Sequence, residues 1–386
     1  MKKNLITGIS LLLAVAVSSC NNQQASDKSS DSMTVRIPDT ANYNKMLDGK
    51  QVKLYTLTNQ NQMKVAITNL GGRIVSIIVP NKDGKMVDVA LGYDKVESYQ
   101  KQGEPFFGAI IGRYGNRIGK GKFALDGKEY ALELNDGVNT LHGGKSGFYN
   151  KVWEATQPND STLMLSYNSP DGEGGYPGNV KVNVTYTITS TNGIKMDYDA
   201  QSDEKTVLNL TNHAYFNLSG EGDSTILDHV LMVDADAITP VDNTLIPTGE
   251  MMDVSLTPFD FRKPTAIGDR INEENEQLKS GKGYDHNFVL NKKGGMQKVA
   301  TVYSPKTGIE LAIITEEPGL QFYSGNFLTG ADKDGKGGKA YPLRSAFCLE
   351  TQHFPDSPNK PNFPSTVLNA GDTYHTTTIY QFSTKK

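Results

Sequence analysis

Apolar and polar residues alternate with a period of two in short runs from about Leu54 onward. Successive side chains of a β-strand point to opposite faces of the sheet, so this alternation predicts strands with one buried face. The turns between the runs are rich in Asp-Gly and Asn-Gly, which favour tight hairpins. No fixed-period repeat is present, which argues against a propeller or a solenoid. The pattern therefore predicts an all-β fold, a large antiparallel β-sandwich.

Two segments depart from the strand pattern. Helical periodicity is nearly absent, and its best candidate is the short, polar segment IGDRINEENEQLKSG. The segment LTGADKDGKGGKAYP is polar and rich in glycine, and we expect it to form an exposed loop. Neither segment marks a domain boundary, so we predict that residues 46–386 form a single domain.

The stretch LNLTNHAYFNL, residues 208–218, has a polar face of an unusual kind. If it were a strand, one face would be apolar apart from a single asparagine. The other face would carry hydrogen-bonding residues of modest length: Asn209, Thr211, His213, Tyr215 and Asn217. Side chains of this type suit a partly enclosed site better than a face that simply meets water.

Composition and charge exclude some classes of protein. The chain has 386 residues, of which 37% are hydrophobic and 21% charged, as in ordinary globular proteins. The formal net charge is −4, and lysine and arginine do not cluster, which argues against nucleic-acid binding.

The first residues indicate export. Two lysines precede an apolar run from Leu5 to Val17, and small residues then lead to Cys20. An uncleaved transmembrane helix is the alternative, but the run is shorter than the ~20 residues that a span needs. The segment resembles a bacterial lipoprotein cleavage site, in which Cys20 becomes the lipid anchor. We therefore expect a signal peptide at residues 1–19, a flexible tether at 20–45, and attachment at the periplasmic or cell-surface side of a membrane.

Only two cysteines are present, Cys20 and Cys348. If Cys20 is lipidated, Cys348 has no partner for a disulfide. The apolar neighbours of Cys348 indicate a small buried hydrophobic residue, and a catalytic thiol is the less favoured interpretation.

Several polar residues occur where a ligand could reach them. The segment GRYGNRIGKGKF brings Asn116 and Arg117 among glycines, which fits a ligand-binding loop and a simple surface turn equally well. His142 precedes two glycines, and Asp285 stands at a strand entry; each alone is a weak signal. Gln321 alternates with an aromatic residue, a combination that suits a sugar.

The segment FCLETQHFPD gives a sharper signal. Glu350 interrupts an apolar strand, so its carboxyl group is partly desolvated unless a cation pairs with it. Desolvation raises the pKa of a carboxyl group and suits it to act as a general base. A salt bridge to a nearby arginine is the alternative.

A catalytic metal does not look necessary. None of the six histidines lies in an H-E-x-x-H motif, and paired thiolates are missing, so we predict no metal centre. Asp332 and Asp334 resemble the start of a calcium loop without its distal glutamate, which leaves room for an adventitious calcium ion.

Taken together, the motifs resemble those of the aldose 1-epimerase (galactose mutarotase) family. The resemblance covers roughly Leu54 to Phe382. It rests on eight segments in this order: GRYGNRIGKGKF, TLHGG, TNHAYFNL, TLIPTG, FDFR, GYDHNF, QFYSGNF and CLETQHFPD. It implies a large β-sandwich with an open cleft for a hexose, and chemistry that requires no cofactor.

The resemblance also implies roles for individual residues. The general acid falls on His213 and the general base on Glu350. Sugar binding falls on the following residues: Asn116, Arg117, His142, Tyr215, Asp285 and Gln321. We expect His213 to act as an imidazolium and Glu350 as a carboxylate, with the polar face of residues 208–218 as the floor of the cleft.

Two rival functions remain open. In a glycoside hydrolase, Asp285 and Glu350 would be the two catalytic carboxyl groups. A lipid-anchored carbohydrate-binding protein would use the same aromatic and amide groups without turnover. In each case the expected partner is a small aldohexose, and nucleic acid is excluded. We expect contact with the membrane only through the lipid, and we favour a monomer.

Overall fold

The computed structural model describes residues 35–331 and 333–385, and within them nearly all regular structure is β-strand. In chain order the strands are β1 (Lys45–Leu47), β2 (Lys50–Val52), β3 (Leu54–Thr58), β4 (Lys64–Thr68), β5 (Arg73–Pro80), β6 (Met86–Asp88), β7 (Ile110–Ile111), β8 (Arg117–Ile118), β9 (Lys122–Leu125), β10 (Lys128–Ala131), β11 (Thr140–Leu141), β12 (Glu154–Asn159), β13 (Thr162–Ser169), β14 (Val180–Ile188), β15 (Gly193–Ser202), β16 (Thr206–Val207), β17 (Thr211–Asn212), β18 (Tyr215–Phe216), β19 (Val230–Val233), β20 (Ala235–Ile238), β21 (Met252–Asp253), β22 (Thr265–Ala266), β23 (Asp285–Leu290), β24 (Gln297–Tyr303), β25 (Ile309–Thr315), β26 (Gly319–Tyr323), β27 (Phe347–Gln352), β28 (Val367–Leu368) and β29 (Thr373–Thr384). One α-helix, α1 (Glu276–Gly281), and short 3-10 helices at Thr40–Tyr43, Val96–Gln100, Gly119–Gly121, Phe148–Asn150, Glu173–Gly175, Ile267–Asp269, Lys336–Gly338 and Ser357–Asn359 complete the described structure.

The largest sheet has nine antiparallel strands in the order β12-β13-β14-β15-β29-β25-β24-β19-β22. In β14 every second residue is buried, from Val180 to Ile188, as the sequence pattern predicts. These buried side chains share one hydrophobic core with the apolar face of a second, six-stranded sheet, which includes Phe322 and Leu349. Two antiparallel sheets that share a core form a β-sandwich, so the predicted fold class is confirmed.

The six-stranded sheet, in the order β18-β27-β26-β23-β20-β21, has two faces of opposite character. Its inner face buries apolar residues such as Phe216, Phe288, Phe322 and Leu349. The register places two rows on the other face: Asn287, Gln321 and Glu350 in one, and Asp285, Tyr323, Cys348 and Tyr215 in the next. Residues from four strands thus meet on one surface because their spacing of two keeps them on the same side of the sheet.

Two of the tight hairpin turns contain the Asp-Gly pair that the sequence predicts for such turns. Asp48 and Gly49 join β1 to β2, and Asp126 and Gly127 join β9 to β10. All four residues have positive φ, between 49° and 80°. Turns with two left-handed residues match the twist of the strands they connect, which is why Asp-Gly is favoured there.

The predicted helix forms, but over fewer residues than its segment spans. After the 3-10 turn Ile267–Asp269, helix α1 begins behind Asn275, whose side-chain oxygen accepts hydrogen bonds from the backbone N–H groups of Gln277 and Leu278. This cap satisfies donors that the first turn leaves unpaired. Among the described residues, no helix is long and apolar enough to span a membrane.

Two expectations about irregular segments need correction. The segment expected to be an exposed loop carries Lys336, which is 5% exposed and forms an ion pair with Asp88. The β domain also begins before residue 46, because Tyr43 is fully buried and donates a hydrogen bond to the carbonyl of Tyr93. The signal peptide and most of the tether, including Cys20, lie outside the described residues.

Candidate active site

A cleft of about 370 Å³ opens over the polar face of the six-stranded sheet. Seven of the predicted site residues line it: Asn116, Arg117, His142, His213, Tyr215, Asp285 and Glu350. Residues that the sequence interpretation did not assign also line it, among them Glu104, Phe106, Asn135, Asp136, Tyr323 and Phe327. Gln321 is absent from this lining. The structure therefore brings together, from loops and strands far apart in the chain, nearly the whole predicted set.

His213 and Glu350 face each other in the cleft. Nε2 of His213 is 3.7 Å from Oε1 of Glu350, and the two residues are only 5% and 2% exposed. The backbone of His213 is fixed by β-type bonds, since its N–H donates to the Ala109 carbonyl and its carbonyl accepts from Gly108. The imidazole stacks on the ring of Tyr215 at 5.1 Å. Backbone hydrogen bonds and the stacked ring thus fix His213 opposite Glu350.

Burial decides the ionisation of this pair. It raises the pKa of the Glu350 carboxyl group well above its usual value, and the neighbouring Asp285 raises it further while Arg117 lowers it. It lowers the pKa of His213 to about 3. Desolvation therefore favours a protonated carboxyl group and a neutral imidazole, whereas their mutual attraction favours the ion pair. Both arrangements hold the same single proton, so the titrations of the two groups are coupled, and an imidazolium at His213 stays a prediction.

Asp285 is held by Gln321. Nε2 of Gln321 donates a hydrogen bond of 2.7 Å to Oδ1 of Asp285. Burial raises the pKa of Asp285, and both Arg117 and this hydrogen bond act in the opposite direction. Gln321 is itself buried, and this hydrogen bond orients the Asp285 carboxyl group.

His142 and Asn116 are fixed against each other where they flank the paired strands β8 and β11: Asn116 directly precedes β8, and His142 directly follows β11. The N–H of Asn116 donates to Nδ1 of His142 at 3.2 Å, and the N–H of His142 donates to the Asn116 carbonyl at 3.0 Å. Both residues have positive φ, 64° and 54°, which costs backbone energy outside glycine. Because Nδ1 accepts, the neutral ring of His142 carries its proton on Nε2 and acts as a hydrogen-bond donor. Burial lowers the pKa of His142 well below its usual value, which keeps the ring neutral.

Arg117 and Phe106 complete the walls. Nε of Arg117 donates to Oδ2 of Asp136 at 2.8 Å, an ion pair that orients the guanidinium group. Phe106 contacts His142 and His213 with ring centroids 4.8 and 5.8 Å apart. Asp136 precedes the TLHGG motif and Phe106 precedes GRYGNRI, so nearness to a motif was the signal that could have pointed to them.

Only some residues of the polar face predicted for residues 208–218 line the cleft, and others bind backbone groups of neighbouring segments. His213 and Tyr215 line the cleft, but Asn209 and Asn217 do not. Asn209 exchanges hydrogen bonds with the backbone of His353, and Asn217 donates to the carbonyl of Ser345. The strand is interrupted between β17 and β18, so a strict alternation over the whole stretch does not hold. The expectation that this face forms the cleft floor is therefore wrong for Asn209, Thr211 and Asn217, since none of the three lines the cleft.

Ligand atoms of His142, His213 and Glu350 lie within 4.8 Å of one another, close enough to hold a metal ion. This cluster has no sequence motif, because its members come from three distant segments. A histidine that binds a metal through one nitrogen usually donates a hydrogen bond from the other. Nδ1 of His142 instead accepts one from Asn116, so the ring would have to lose its last proton to bind a metal through Nε2. The arrangement fits an acid–base site better than a metal centre.

The calcium interpretation concerns a loop away from the cleft. Asp332 lies outside the described residues. Asp334 forms an ion pair with Lys101 and accepts a hydrogen bond from Ser98, so its Oδ2 is already engaged by protein donors. Calcium binding here stays a prediction.

Comparisons with known proteins agree with this geometry. A model of the family described as aldose 1-epimerase matches residues 53–381. Galactose mutarotase from Bos taurus is 46% identical over 326 residues, which cover 84% of this chain and 92% of the relative. Aldose 1-epimerase from Escherichia coli (strain K12) is 39% identical over 338 residues, which cover 87% and 96%. The crystal structure of an aldose epimerase homologue from C. elegans matches with a TM-score of 0.80 at 31% identity, covering 87% of this chain and all (100%) of that one. The chain therefore belongs to the aldose 1-epimerase family and is an isomerase.

Proposed function

We propose that the protein interconverts the α and β anomers of aldohexoses such as D-galactose and D-glucose, with Glu350 as general base and His213 as general acid. The observation that carries this proposal is the buried pair at the cleft floor, with Nε2 of His213 and Oε1 of Glu350 3.7 Å apart. A base and an acid at this separation can act on two oxygens that share one carbon atom, as the hydroxyl and ring oxygens at C1 of a pyranose do.

The reaction proceeds by opening and closing the ring. The Glu350 carboxylate takes the proton of the C1 hydroxyl while the His213 imidazolium gives the proton on Nε2 to the ring oxygen. The bond between C1 and the ring oxygen breaks, and the electron pair on the C1 oxygen forms the aldehyde. Rotation about the bond between C1 and C2 presents the other face, and closure returns both protons. Each positioned group contributes ~10²–10⁴-fold to the rate.

The shared proton sets the pH dependence. Only the arrangement with a carboxylate and an imidazolium starts the opening step, and it holds one proton in total. With a second proton, Glu350 is protonated and cannot act as a base. With no proton to share, His213 is neutral and cannot act as an acid. We therefore expect a bell-shaped dependence of kcat/KM on pH, with two apparent pKa values that belong to the pair.

Neighbouring groups would hold the sugar. His142 donates from Nε2, Arg117 offers charged donors, and the Asp285 carboxylate accepts from one hydroxyl while Gln321 orients it. The ring of Tyr215 and the side chain of Asn116 complete the contacts that we assign to substrate binding. Proton transfer of this kind needs no cofactor.

Polarimetry of freshly dissolved α-D-galactose and α-D-glucose tests the proposal. Wild-type protein should speed the drift to equilibrium, and His213→Ala and Glu350→Gln should each lower kcat by roughly 10²–10⁴-fold. Glu154→Gln is a matched control, because that glutamate is exposed and does not line the cleft. A protein that binds sugar by calorimetry but leaves the drift unchanged would be a carbohydrate-binding protein, and the proposal would fail. A hydrolase would keep substantial activity on a glycoside after His213→Ala.

We also propose that Cys20 carries a lipid that anchors the protein at a bacterial membrane. The support is the order of the leader: two lysines, an apolar run and small residues before Cys20. Labelled palmitate should be incorporated into wild-type protein and not into Cys20→Ala. Recovery of unlabelled wild-type protein in the cytosol would refute this assignment.

A further inference from the structure

One strand contacts both nitrogens of the His213 ring. Glu350 in β27 faces Nε2, and Cys348, two residues earlier on the same face, places its Sγ 3.5 Å from Nδ1. Cys348 is fully buried, and no role in the reaction has been given to it above. Residues i and i+2 of a strand point to the same side, so β-strand geometry places Cys348 and Glu350 together against the His213 ring.

The partner of Nδ1 distinguishes His213 from other histidines of the chain. In His229, His353 and His375, Nδ1 lies 2.7–2.9 Å from a carboxylate oxygen. A carboxylate stabilises an imidazolium strongly, whereas a thiol sulfur is a weak, uncharged acceptor. An imidazolium at His213 therefore has little support on its Nδ1 side and releases its other proton more readily.

Taking the proposed function as its basis, we propose that Cys348 is a positioning residue that fixes the His213 ring and gives Nδ1 only a weak partner, so that the proton on Nε2 passes readily to the ring oxygen of the sugar. A ring oxygen is a poor proton acceptor, and a stronger acid transfers a proton to it faster. A carboxylate in place of the thiol would hold the ring equally well but would weaken the acid.

Other groups around His213 do not replace this effect. Glu350 faces Nε2, His142 meets the ring edge-on at 5.0 Å, and Tyr215 stacks on it. The positive charge of Arg73 lowers the pKa of His213 from a greater distance. Burial raises the pKa of the Cys348 thiol, so its sulfur stays uncharged.

Two substitutions at Cys348 should move the pH profile in opposite directions. A serine hydroxyl is a better acceptor than a thiol, so Cys348→Ser should stabilise the imidazolium and raise the apparent pKa of the pair that reports on His213. Cys348→Ala leaves Nδ1 without a partner and should lower that pKa. Cys348→Ser should lower kcat by roughly twofold to tenfold because the acid is weaker, and Cys348→Ala should lower it by a similar factor because the ring is no longer fixed. The readouts are kcat/KM against pH and the ¹⁵N chemical shifts of the His213 ring.

Thr351→Val is the matched control. Thr351 lies on the same strand but on the opposite face, where it contacts Thr378, and its loss should leave the pH profile unchanged. Thermal unfolding of each variant shows whether it folds. If both Cys348 variants fold and keep the wild-type profile and ring shifts, the inference is overturned. If wild-type protein lacks mutarotase activity, the proposed function fails, yet the ¹⁵N shifts still report whether Cys348 controls the ring.

Discussion

Two buried pairs of ionisable groups in this protein differ in how completely they are satisfied. Lys336 belongs to the loop between β26 and β27, and its ammonium group donates to Asp88, Ser76 and the carbonyls of Val75 and Ala90. Asp88 in turn accepts from two backbone N–H groups. Every donor and acceptor of this pair has a partner, so its charges are stable where they are.

Glu350 is buried as deeply as this pair, but its carboxyl group lacks a full set of hydrogen-bond partners. Its Oε1 lies 3.7 Å from His213, and its Oε2 has no hydrogen-bond partner among the described residues. A buried carboxyl group without such partners resists ionisation, and its proton moves easily when a ligand changes the surroundings. The first pair holds a loop in place, whereas the second is the pair to which we assign proton transfer in the proposed function.

The largest effect is expected from Glu350→Gln. It should lower kcat by roughly 10²–10⁴-fold while leaving stability at pH 7 equal or higher. The reason for the second part is that burial raises the pKa of Glu350 in the folded protein. The stability that the Glu350 proton contributes is fully present below the pKa of the unfolded state and is lost as the pH rises through the pKa of the folded state. A glutamine side chain does not titrate, so the variant does not lose stability in this way. Polarimetry and thermal unfolding at pH 7 give the two values, and a marked fall in Tm would contradict the comparison.

Disrupting the Lys336–Asp88 pair should have the reverse outcome: stability should fall while kcat stays unchanged. Lys336→Met leaves Asp88 as a buried charge without its cation and should cost about 3–5 kcal/mol in the free energy of unfolding. Since Lys336 does not line the cleft, the variant should keep wild-type kcat while it stays folded. Adding Asp88→Asn should recover part of the stability. Chemical denaturation measures both, and loss of less than about 1 kcal/mol would place this pair among weak surface pairs.

His286 extends the comparison to a buried base. It is fully buried, its Nε2 has no partner among the described residues, and burial lowers its pKa to about 3. The unfolded state binds a proton below about pH 6.5 and the folded state does not, so stability falls with pH below that value. His286→Gln should shrink the difference in stability between pH 7 and pH 5 by about 2 kcal/mol. Urea unfolding at both pH values tests this, and an unchanged difference would refute it.

The smallest effect is expected at an exposed pair. Lys122 lies 2.8 Å from Glu129, with both side chains more than half exposed (53% and 64%). Water screens such a pair, so Lys122→Ala should change stability by less than about 1 kcal/mol. Measured beside Lys336→Met, this variant shows that burial rather than the presence of an ion pair sets the cost. A change as large as that of Lys336→Met would remove the distinction.

Much of the site followed from sequence because its residues sit in short motifs. His213, Glu350 and Asp285 were assigned before any geometry was known, and all three line the cleft. Gln321 was assigned to the sugar, and this assignment stays a prediction; its hydrogen bond to Asp285 was not foreseen, because a motif does not say which side chains meet across strands. Asp136 and Phe106 were missed, since each acts through a partner on another segment.

The sequence by itself determined the strands, their buried faces and the turns, because alternation with a period of two and Asp-Gly chemistry act within a few residues. Tertiary structure alone decided which groups meet. Cys348 and His213 are 135 residues apart, and Lys336 and Asp88 are 248 apart, yet each pair is in direct contact. Sheet register and loop closure bring such residues together, and burial then sets their ionisation, which no local stretch of sequence encodes.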